Sequence, residues 1–265
     1  MQLSAAAEPG FDRRNLRGPF DIIGDVHGCA DELEDLLRLL GYDVTGSGED
    51  VRITPPPGRM AVFVGDLVDR GPRSPDVLRI AMAMLQTGSG LCVEGNHDNK
   101  FARWLGGARV TTNSGLQETI VQMAGASPLF LERVRAFLAG LPPWLWLDEG
   151  RLVVAHAGLR EEMIGQAGPK VRAFALYGDV TGKTDGFGRP VRADWAQNYR
   201  GAPAIVYGHV AAASVQSVNN TWCIDTGCCF GGALSALRWP EREVVSVPAR
   251  RMWSEPARPL SKRVG

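Results

Sequence analysis

The stretch that decides the fold is Met60-Ala61-Val62-Phe63-Val64-Gly65-Asp66-Leu67-Val68-Asp69-Arg70-Gly71. Its first five residues form an apolar run that reads as a buried strand. The run stops at a glycine, and two aspartates and an arginine follow at once. Charges at the end of a buried strand are costly unless they pair or bind metal. The expectation is that Asp66 bridges two divalent ions, with Arg70 beside them to hold a phosphate.

Working outward, five more apolar runs finish in the same way. Phe20-Asp21-Ile22-Ile23-Gly24 leads to Asp25-Val26-His27-Gly28, and Leu91-Cys92-Val93 leads to Glu94-Gly95-Asn96-His97-Asp98. Leu152-Val153-Val154-Ala155 ends at His156, Ala204-Ile205-Val206-Tyr207 at Gly208-His209, and Thr221-Trp222-Cys223-Ile224 at Asp225. Ligand sites of layered α/β folds gather at strand ends, on the loops. A lone histidine beside a glycine is most simply a capped turn. Here all four histidines of the chain stand at these ends, accompanied by Asp25, Asp66 and Asn96. That set points to metal.

Helices are expected between the runs. Asp31 with Glu34 reads as a capping box ahead of an apolar face of Leu33, Leu36, Leu37 and Leu40. Ser74-Pro75 reads as the N-cap and first residue of a second helix, with Val77, Leu78, Ala81, Met82 and Leu85 as its buried stripe. Helical periodicity recurs in pieces over 100–139, residues 42–58 read as loop or hairpin, and short strands are expected near 234–239 and 243–247. The organisation predicted is a tail or linker over 1–17, one α/β domain over 18–250, and a tail over 251–265. Within the domain, periodicity fades over 159–203, and this loop-rich segment is the expected source of substrate contacts.

Composition narrows the partners. The 29 Lys and Arg balance 29 Asp and Glu, which argues against tight non-specific binding to long nucleic acid, a process driven by phosphate neutralisation. Basic clusters occur near the termini, at Arg13, Arg14 and Arg17 and at Arg250, Arg251, Lys262 and Arg263, and recognition of a nucleic-acid end stays open. Met1–Pro9 lacks a signal-peptide core and no stretch is long and apolar enough for a membrane span, so a cytoplasmic protein without membrane partner is expected. Cys29, Cys92, Cys223, Cys228 and Cys229 contain no CxxC pair and read as reduced, mostly buried thiols.

Oxygen and nitrogen ligands without thiolate suit Mn²⁺, Fe or Zn²⁺ in a reactive rather than a structural site. Two metals bridged by a carboxylate can share a hydroxide and clamp a phosphoryl group for in-line displacement. An arginine fork matches two phosphate oxygens, and a histidine held by an acid can protonate a departing alkoxide. Phosphoester hydrolysis is the reaction that fits.

Asp25-x-His27, Gly65-Asp66-x-x-Asp69-Arg70, Gly95-Asn96-His97-Asp98, Ala155-His156-Ala157-Gly158 and Gly208-His209 resemble, in order and setting, the five motifs of the calcineurin-like metallophosphoesterases. The Val-Asp-Arg-Gly form is similar to that of the serine/threonine phosphatase and symmetrical diadenosine tetraphosphatase branch. Gly18–Asp25, Phe174–Gly178, Thr184–Gly188, Ile224–Cys228 and Val247–Ala249 are similar to the phosphatase module of bacterial polynucleotide kinase-phosphatases, which heal broken RNA ends. The resemblance implies a β-sandwich flanked by helices (α-β-β-α). It implies a first metal on Asp25, His27 and Asp66, and a second on Asp66, Asn96, His156 and His209. Mn²⁺ is the foremost candidate, with Ni²⁺, Fe or Zn²⁺ as alternatives. Arg70 would contact phosphate, His97 would be the general acid, Asp69 would orient His97, and Asp225 would support the site. Asp98 is left between a role in the chemistry and a turn or cap. Gly178-Asp179-Val180-Thr181 departs from the Gly-Glu-Thr-Thr of the end-healing module, and Val210 stands in place of its threonine; both put substrate preference in doubt.

Gly182-Lys183-Thr184 imitates a phosphate loop but lacks the glycine five residues earlier, where Tyr177 stands. Lys183-Thr184-Asp185-Gly186 imitates a ligase motif with too little chain after it. Kinase and ligase activities are therefore expected, if anywhere, in partners on other chains. Substrate contacts are expected from Arg172 and Tyr177 foremost, with Lys183, Arg189, Arg192, Trp195, Tyr199 and Arg200 as further cations and stacking rings. The leading expectation is hydrolysis of 2′-phosphate and 2′,3′-cyclic phosphate RNA ends. Alternatives are a serine/threonine phosphatase, a symmetrical bis(5′-nucleosyl)-tetraphosphatase, and a non-catalytic metal-dependent binding module.

Overall fold

The computed structural model describes residues 10–188, 190–257 and 259–260. In chain order its elements are β1 (Phe20–Ile23), α1 (Ala30–Leu39), β2 (Asp43–Thr45), β3 (Arg52–Thr54), β4 (Met60–Phe63), α2 (Ser74–Thr87) and β5 (Gly90–Cys92). Then come α3 (Asn96–Leu105), α4 (Leu116–Met123), α5 (Pro128–Ala139), β6 (Trp144–Leu147), β7 (Leu152–Ala155) and α6 (Pro169–Tyr177). The chain closes with β8 (Val180–Thr184), β9 (Pro190–Arg192), β10 (Ala204–Tyr207), β11 (Gln216–Val218), β12 (Thr221–Cys223), β13 (Ala233–Trp239) and β14 (Glu243–Pro248).

Two five-stranded sheets result, in the orders β14-β13-β1-β4-β5 and β11-β12-β10-β7-β6. Side chains alternate across a strand, and here both faces are apolar. Phe20, Ile22, Val62 and Val64 of the first sheet meet Leu145, Leu152, Val154 and Val206 of the second in one buried layer. The alternate residues Ile23, Ala61 and Phe63 turn the other way, into a core shared with α1 to α5. On the far side, Val153, Ala155 and Ile205 pack with Val171, Phe174 and Ala175 of α6. The expected helix-sheet-sheet-helix layering is therefore present.

Within the first sheet β1, β4 and β5 run parallel, and within the second β7, β10 and β12 do. The carboxyl ends of these six strands carry the six polar termini identified in the sequence. Stacking the sheets brings three ends from each to one edge of the sandwich.

Some local expectations change. Helix α1 starts at Ala30 after Cys29, with no side-chain cap. Asp31 instead pairs with Arg73 and Arg250, and Glu34 pairs with Arg38. Ser74 is the first residue of α2, not its N-cap, because its hydroxyl accepts the Asp69 N–H at 3.2 Å. The segment 159–203 contains a nine-residue helix, α6, and the β8–β9 hairpin. From Phe11 onward the stretch expected as a tail runs along β6: Phe11 stacks on Trp144 with ring centroids 4.3 Å apart, and the Arg13 N–H donates to Trp146 O at 2.9 Å. At the other end, Trp253 donates from Nε1 to Glu32 at 3.0 Å. Met1–Pro9, Lys262 and Arg263 lie outside the described residues.

Candidate metal centre

Five residues at the converging strand ends have left-handed backbones: His27, Asp66, Asp69, Arg70 and His209, with φ between 45° and 76°. Non-glycine residues rarely adopt this conformation, and it persists only where the surroundings impose it. The turns are held by neighbouring loops. The His27 N–H donates to Asp66 O at 2.8 Å, and the Gly71 N–H donates to His27 O at 2.9 Å.

Two imidazoles are oriented by backbone carbonyls. His27 Nδ1 lies 2.9 Å from Val68 O, and His156 Nδ1 lies 3.0 Å from Val64 O. A ring whose Nδ1–H donates to a carbonyl presents the Nε2 lone pair on its other side, as a metal ligand must. Both Nε2 atoms face Asp66 Oδ2, at 3.5 Å from His27 and 3.4 Å from His156. Asp66 thus stands between two nests of donors, as expected of a bridge. His156 Nε2 also meets Asn96 Oδ1 at 3.0 Å and His209 Nδ1 at 2.9 Å. Asp25 accepts the His209 N–H on both carboxylate oxygens, at 3.3 and 3.1 Å.

The donor chemistry fits divalent cations. Asn96 Oδ1 and the Asp66 carboxylate have no proton to give, yet they converge on a nitrogen whose own proton is used elsewhere. Asp66, His156 and His209 offer ligand atoms within 4.8 Å of one another, and so do His27, Asp66 and His97. Burial pushes the Asp66 carboxyl up to about 7 and raises Asp25 well above the carboxylate range, with Asp225 and Asp66 adding like-charge repulsion at Asp25. Burial also drives His156 down to about 4 and His27 and His209 well below the usual range. Neutral imidazoles and crowded carboxylates in a dry site are stabilised by bound cations.

Beside this set lies an arginine-histidine-carboxylate line. Arg70 reaches His27 Nε2 through Nη1 and His97 Nε2 through Nη2, the latter at 2.9 Å. Guanidinium and cation are alternatives for the His27 lone pair, so a cation there would direct the Arg70 fork into the cleft. His97 Nδ1 lies 2.6 Å from Asp69 Oδ2, and the other Asp69 oxygen accepts the Thr119 hydroxyl at 2.7 Å. Asp98 lies behind the site, where it accepts the Leu67 N–H at 3.0 Å and the Gly95 N–H at 3.2 Å. It is a buried cap that ties the Asp66 loop to α3. Asp225 is buried at its strand end and accepts the Gly227 N–H at 3.0 Å.

A cleft of about 230 Å³ opens over these residues and brings in side chains the sequence did not single out: Lys100, Ser114 and Phe230. Lys100 stands one helical turn after His97, a spacing that could have flagged it. Arg192 lines the same cleft, whereas Arg172 and Tyr177 stand outside its lining. Arg172 pairs with the buried Glu94 at 2.6 Å. Tyr199, expected as a stacking ring, is a core residue, 2% exposed, whereas Trp195, 8% exposed, packs in the same core while lining a second cavity. Gly158 exists to admit that indole: any Cβ at Gly158 would fall inside the Trp195 ring. Arg189 lies outside the described residues.

Paired nests of oxygen and nitrogen donors, with a guanidinium and a carboxylate-held imidazole at their side, define a metallophosphoesterase, a hydrolase dependent on divalent metal ions. The chain belongs to the family described as calcineurin-like phosphoesterase, whose profile matches residues 18–213. It is similar to proteins named asymmetrical bis(5′-nucleosyl)-tetraphosphatase PrpE. That of Geobacillus thermodenitrificans is 46% identical over 233 residues, covering 86% of this chain and 94% of the relative. That of Bacillus subtilis is 42% identical over 240 residues, covering 89% and 97%. Among solved structures, a candidate diadenosine tetraphosphatase superposes with a TM-score of 0.65 at 28% identity, over 91% of this chain and 98% of that one. A serine/threonine phosphatase from Saccharomyces cerevisiae, at 14% identity and a TM-score of 0.58, shares the fold.

These kinships correct the finer sequence expectation. The near-full-length relatives carry the name of a tetraphosphatase, not of an RNA end-healing enzyme, and the asymmetrical rather than the symmetrical kind. Kinase and ligase partners find no support in them. The reason is physical: of the segments that suggested end healing, Phe174–Leu176 belongs to the buried face of α6 and Ile224 to the layer between the sheets. Such residues report the scaffold and not the substrate. No helix among the described residues is long and apolar enough to cross a membrane.

Proposed function

We propose that this chain hydrolyses dinucleoside tetraphosphates asymmetrically, to a nucleoside monophosphate and a nucleoside triphosphate, using two divalent cations, Mn²⁺ foremost. The observation that supports the reading most is kinship above 40% identity along nearly the whole chain with proteins bearing that name, combined with oxygen and nitrogen donors gathered at five strand ends. In this reading Asp25, His27 and Asp66 hold one cation, and Asp66, Asn96, His156 and His209 hold the other. The cations, when bound, neutralise phosphoryl charge and lower the pKa of the attacking water. Arg70 orients the reacting phosphate, His97 protonates the leaving oxygen, Asp69 fixes the His97 ring, and Asp225 shapes the wall beside Asp25.

RNA-end hydrolysis loses its footing because the relatives that match nearly the whole chain bear the name of a tetraphosphatase and not of an end-healing enzyme. The test is product analysis with added Mn²⁺ on diadenosine tetraphosphate, a ribonucleoside 2′,3′-cyclic phosphate, a 2′-phosphate and a phosphoserine peptide. An Asp66→Ala protein serves as the control for contaminating activity. AMP and ATP in equal amounts are expected from the first substrate at the highest kcat/KM. Preference for the cyclic or 2′-phosphate would restore end healing, and two molecules of ADP per turnover would indicate symmetrical cleavage.

A further inference from the structure

A second cavity, of about 340 Å³, adjoins the metal-ligand cluster beneath the β8–β9 hairpin. Its size lies within the ~300–1,000 Å³ common for small-molecule sites. It shares Arg192, His209 and Val210 with the first cleft, so the two spaces meet at the end of β10. His209 turns Nδ1 toward His156 on the ligand side, and the same residue walls the second cavity.

The two spaces differ in charge. Arg70, Lys100 and Arg192 offer cations in the first. In the second, the described lining holds three carboxylates, Asp179, Asp185 and Asp194, against the one guanidinium of Arg192, and Asp179 is paired with Arg160 at 2.6 Å. This lining is less suited to polyphosphate than the first cleft, while carboxylate oxygens can accept from ribose hydroxyls and base amino groups. The floor is aromatic: Trp195 and Tyr207 tilt against each other with centroids 5.0 Å apart. A flat, uncharged heterocycle carrying hydrogen-bond donors suits this lining.

We infer that this cavity is the subsite for one nucleoside of the substrate, and that its position one side chain from the ligand cluster selects that nucleoside's own α-phosphate for attack. The inference rests on the dinucleoside-polyphosphate reading and adds to it where the nucleoside sits and which phosphorus reacts. The water oxygen bonds to the α-phosphorus as the bond from that phosphorus to its bridging oxygen breaks. The nucleoside triphosphate leaves with the bridging oxygen, the monophosphate keeps the water oxygen, and the protons of the water pass to solvent. A nucleoside held two phosphates away would produce a symmetrical cut instead.

The test uses the Mn²⁺-loaded full chain with diadenosine tetraphosphate in ¹⁸O-water, with mass spectrometry of both products. Label in AMP is expected. Label in ATP would place attack on the β-phosphorus and overturn the subsite. In parallel, Gln216→Trp narrows the cavity from an edge strand that holds no residue of the ligand cluster. The diadenosine tetraphosphate KM should rise about tenfold, the scale of one lost base-stacking contact, while p-nitrophenyl phosphate hydrolysis, which needs no nucleoside, stays at the parent rate. An unchanged KM for the dinucleotide would also overturn the subsite. Protein that cleaves p-nitrophenyl phosphate but no dinucleoside polyphosphate would instead overturn the substrate reading on which the subsite depends.

Discussion

His97 Nδ1 lies 2.6 Å from Asp69 Oδ2, and the same carboxylate is braced on its other oxygen by the Thr119 hydroxyl. The brace fixes which face of the imidazole carries a proton toward the cleft. Asp69→Asn keeps the shape and removes the charge that favours a protonated ring. General acid catalysis contributes roughly 10²–10⁴-fold, and its benefit grows with the basicity of the leaving oxygen. Asp69→Asn and His97→Asn should therefore depress hydrolysis of an alkyl phosphate far more than release of ATP, a weakly basic leaving group. Steady-state rates on the two substrate classes decide it. Equal losses on both would assign the pair to binding rather than proton transfer.

Gly208 gives the cleanest separation of metal binding from folding. A Cβ at this position would occupy the place of Asp25 Oδ1. Gly208→Ala should displace that carboxylate and weaken Mn²⁺ binding by about tenfold or more, with the circular dichroism of the parent retained. Isothermal titration with Mn²⁺ reads it out, and parent-like affinity would remove Asp25 from the ligand set.

Asp98 should matter for stability and only indirectly for rate. Its two oxygens accept the buried Leu67 and Gly95 N–H groups. Asp98→Ala strands both donors and should cost about 2–4 kcal/mol in urea unfolding. Asp98→Asn retains one acceptor and removes a carboxyl that burial, and then repulsion from Asp66, push well above the carboxylate range. It should lose less. If both variants lose the same, the hydrogen-bond account is wrong.

At alkaline pH the base of β1 is exposed to titration. Tyr42 donates to the buried Asp21 at 3.1 Å, and burial followed by the Asp21 charge raises its phenol well above the ordinary value of about 10. A raised folded-state pKa means that the contribution is complete below the unfolded value and declines as pH rises through it. The unfolding free energy should fall above pH ~10, by at most about 1.4 kcal/mol per pH unit from this one group. Tyr42→Phe should flatten that fall in denaturant curves taken between neutral and alkaline pH; an unaltered slope would dismiss the phenol as its source.

The cluster of polar residues at the strand ends was legible in the sequence because it combined two independent signals, apolar runs and rare polar residues at their ends. Asp25, His27, Asp66, Asn96, His156 and His209 need no knowledge of tertiary structure to be found. Helix α6 was not legible, since the nine residues from Pro169 to Tyr177 give too few turns for a stripe to emerge. Tyr199 misled because an aromatic residue in a loop-rich stretch looks like a contact until its burial is known. The direction of Arg172 was equally hidden, because its partner Glu94 lies 78 positions away. Substrate identity was the hardest to read, as the loops that bind metal are common to many phosphoesterases.

Asp66 leaves the first sheet and His156 the second, and the His156 ring is held by Val64 O across the gap. Chain segments from Asp25 to His209 must all be in place, with the sheets already stacked, before the donors come together. During synthesis, then, the donors cannot converge until the segments carrying them, and β13 that pairs with β1, have left the ribosome.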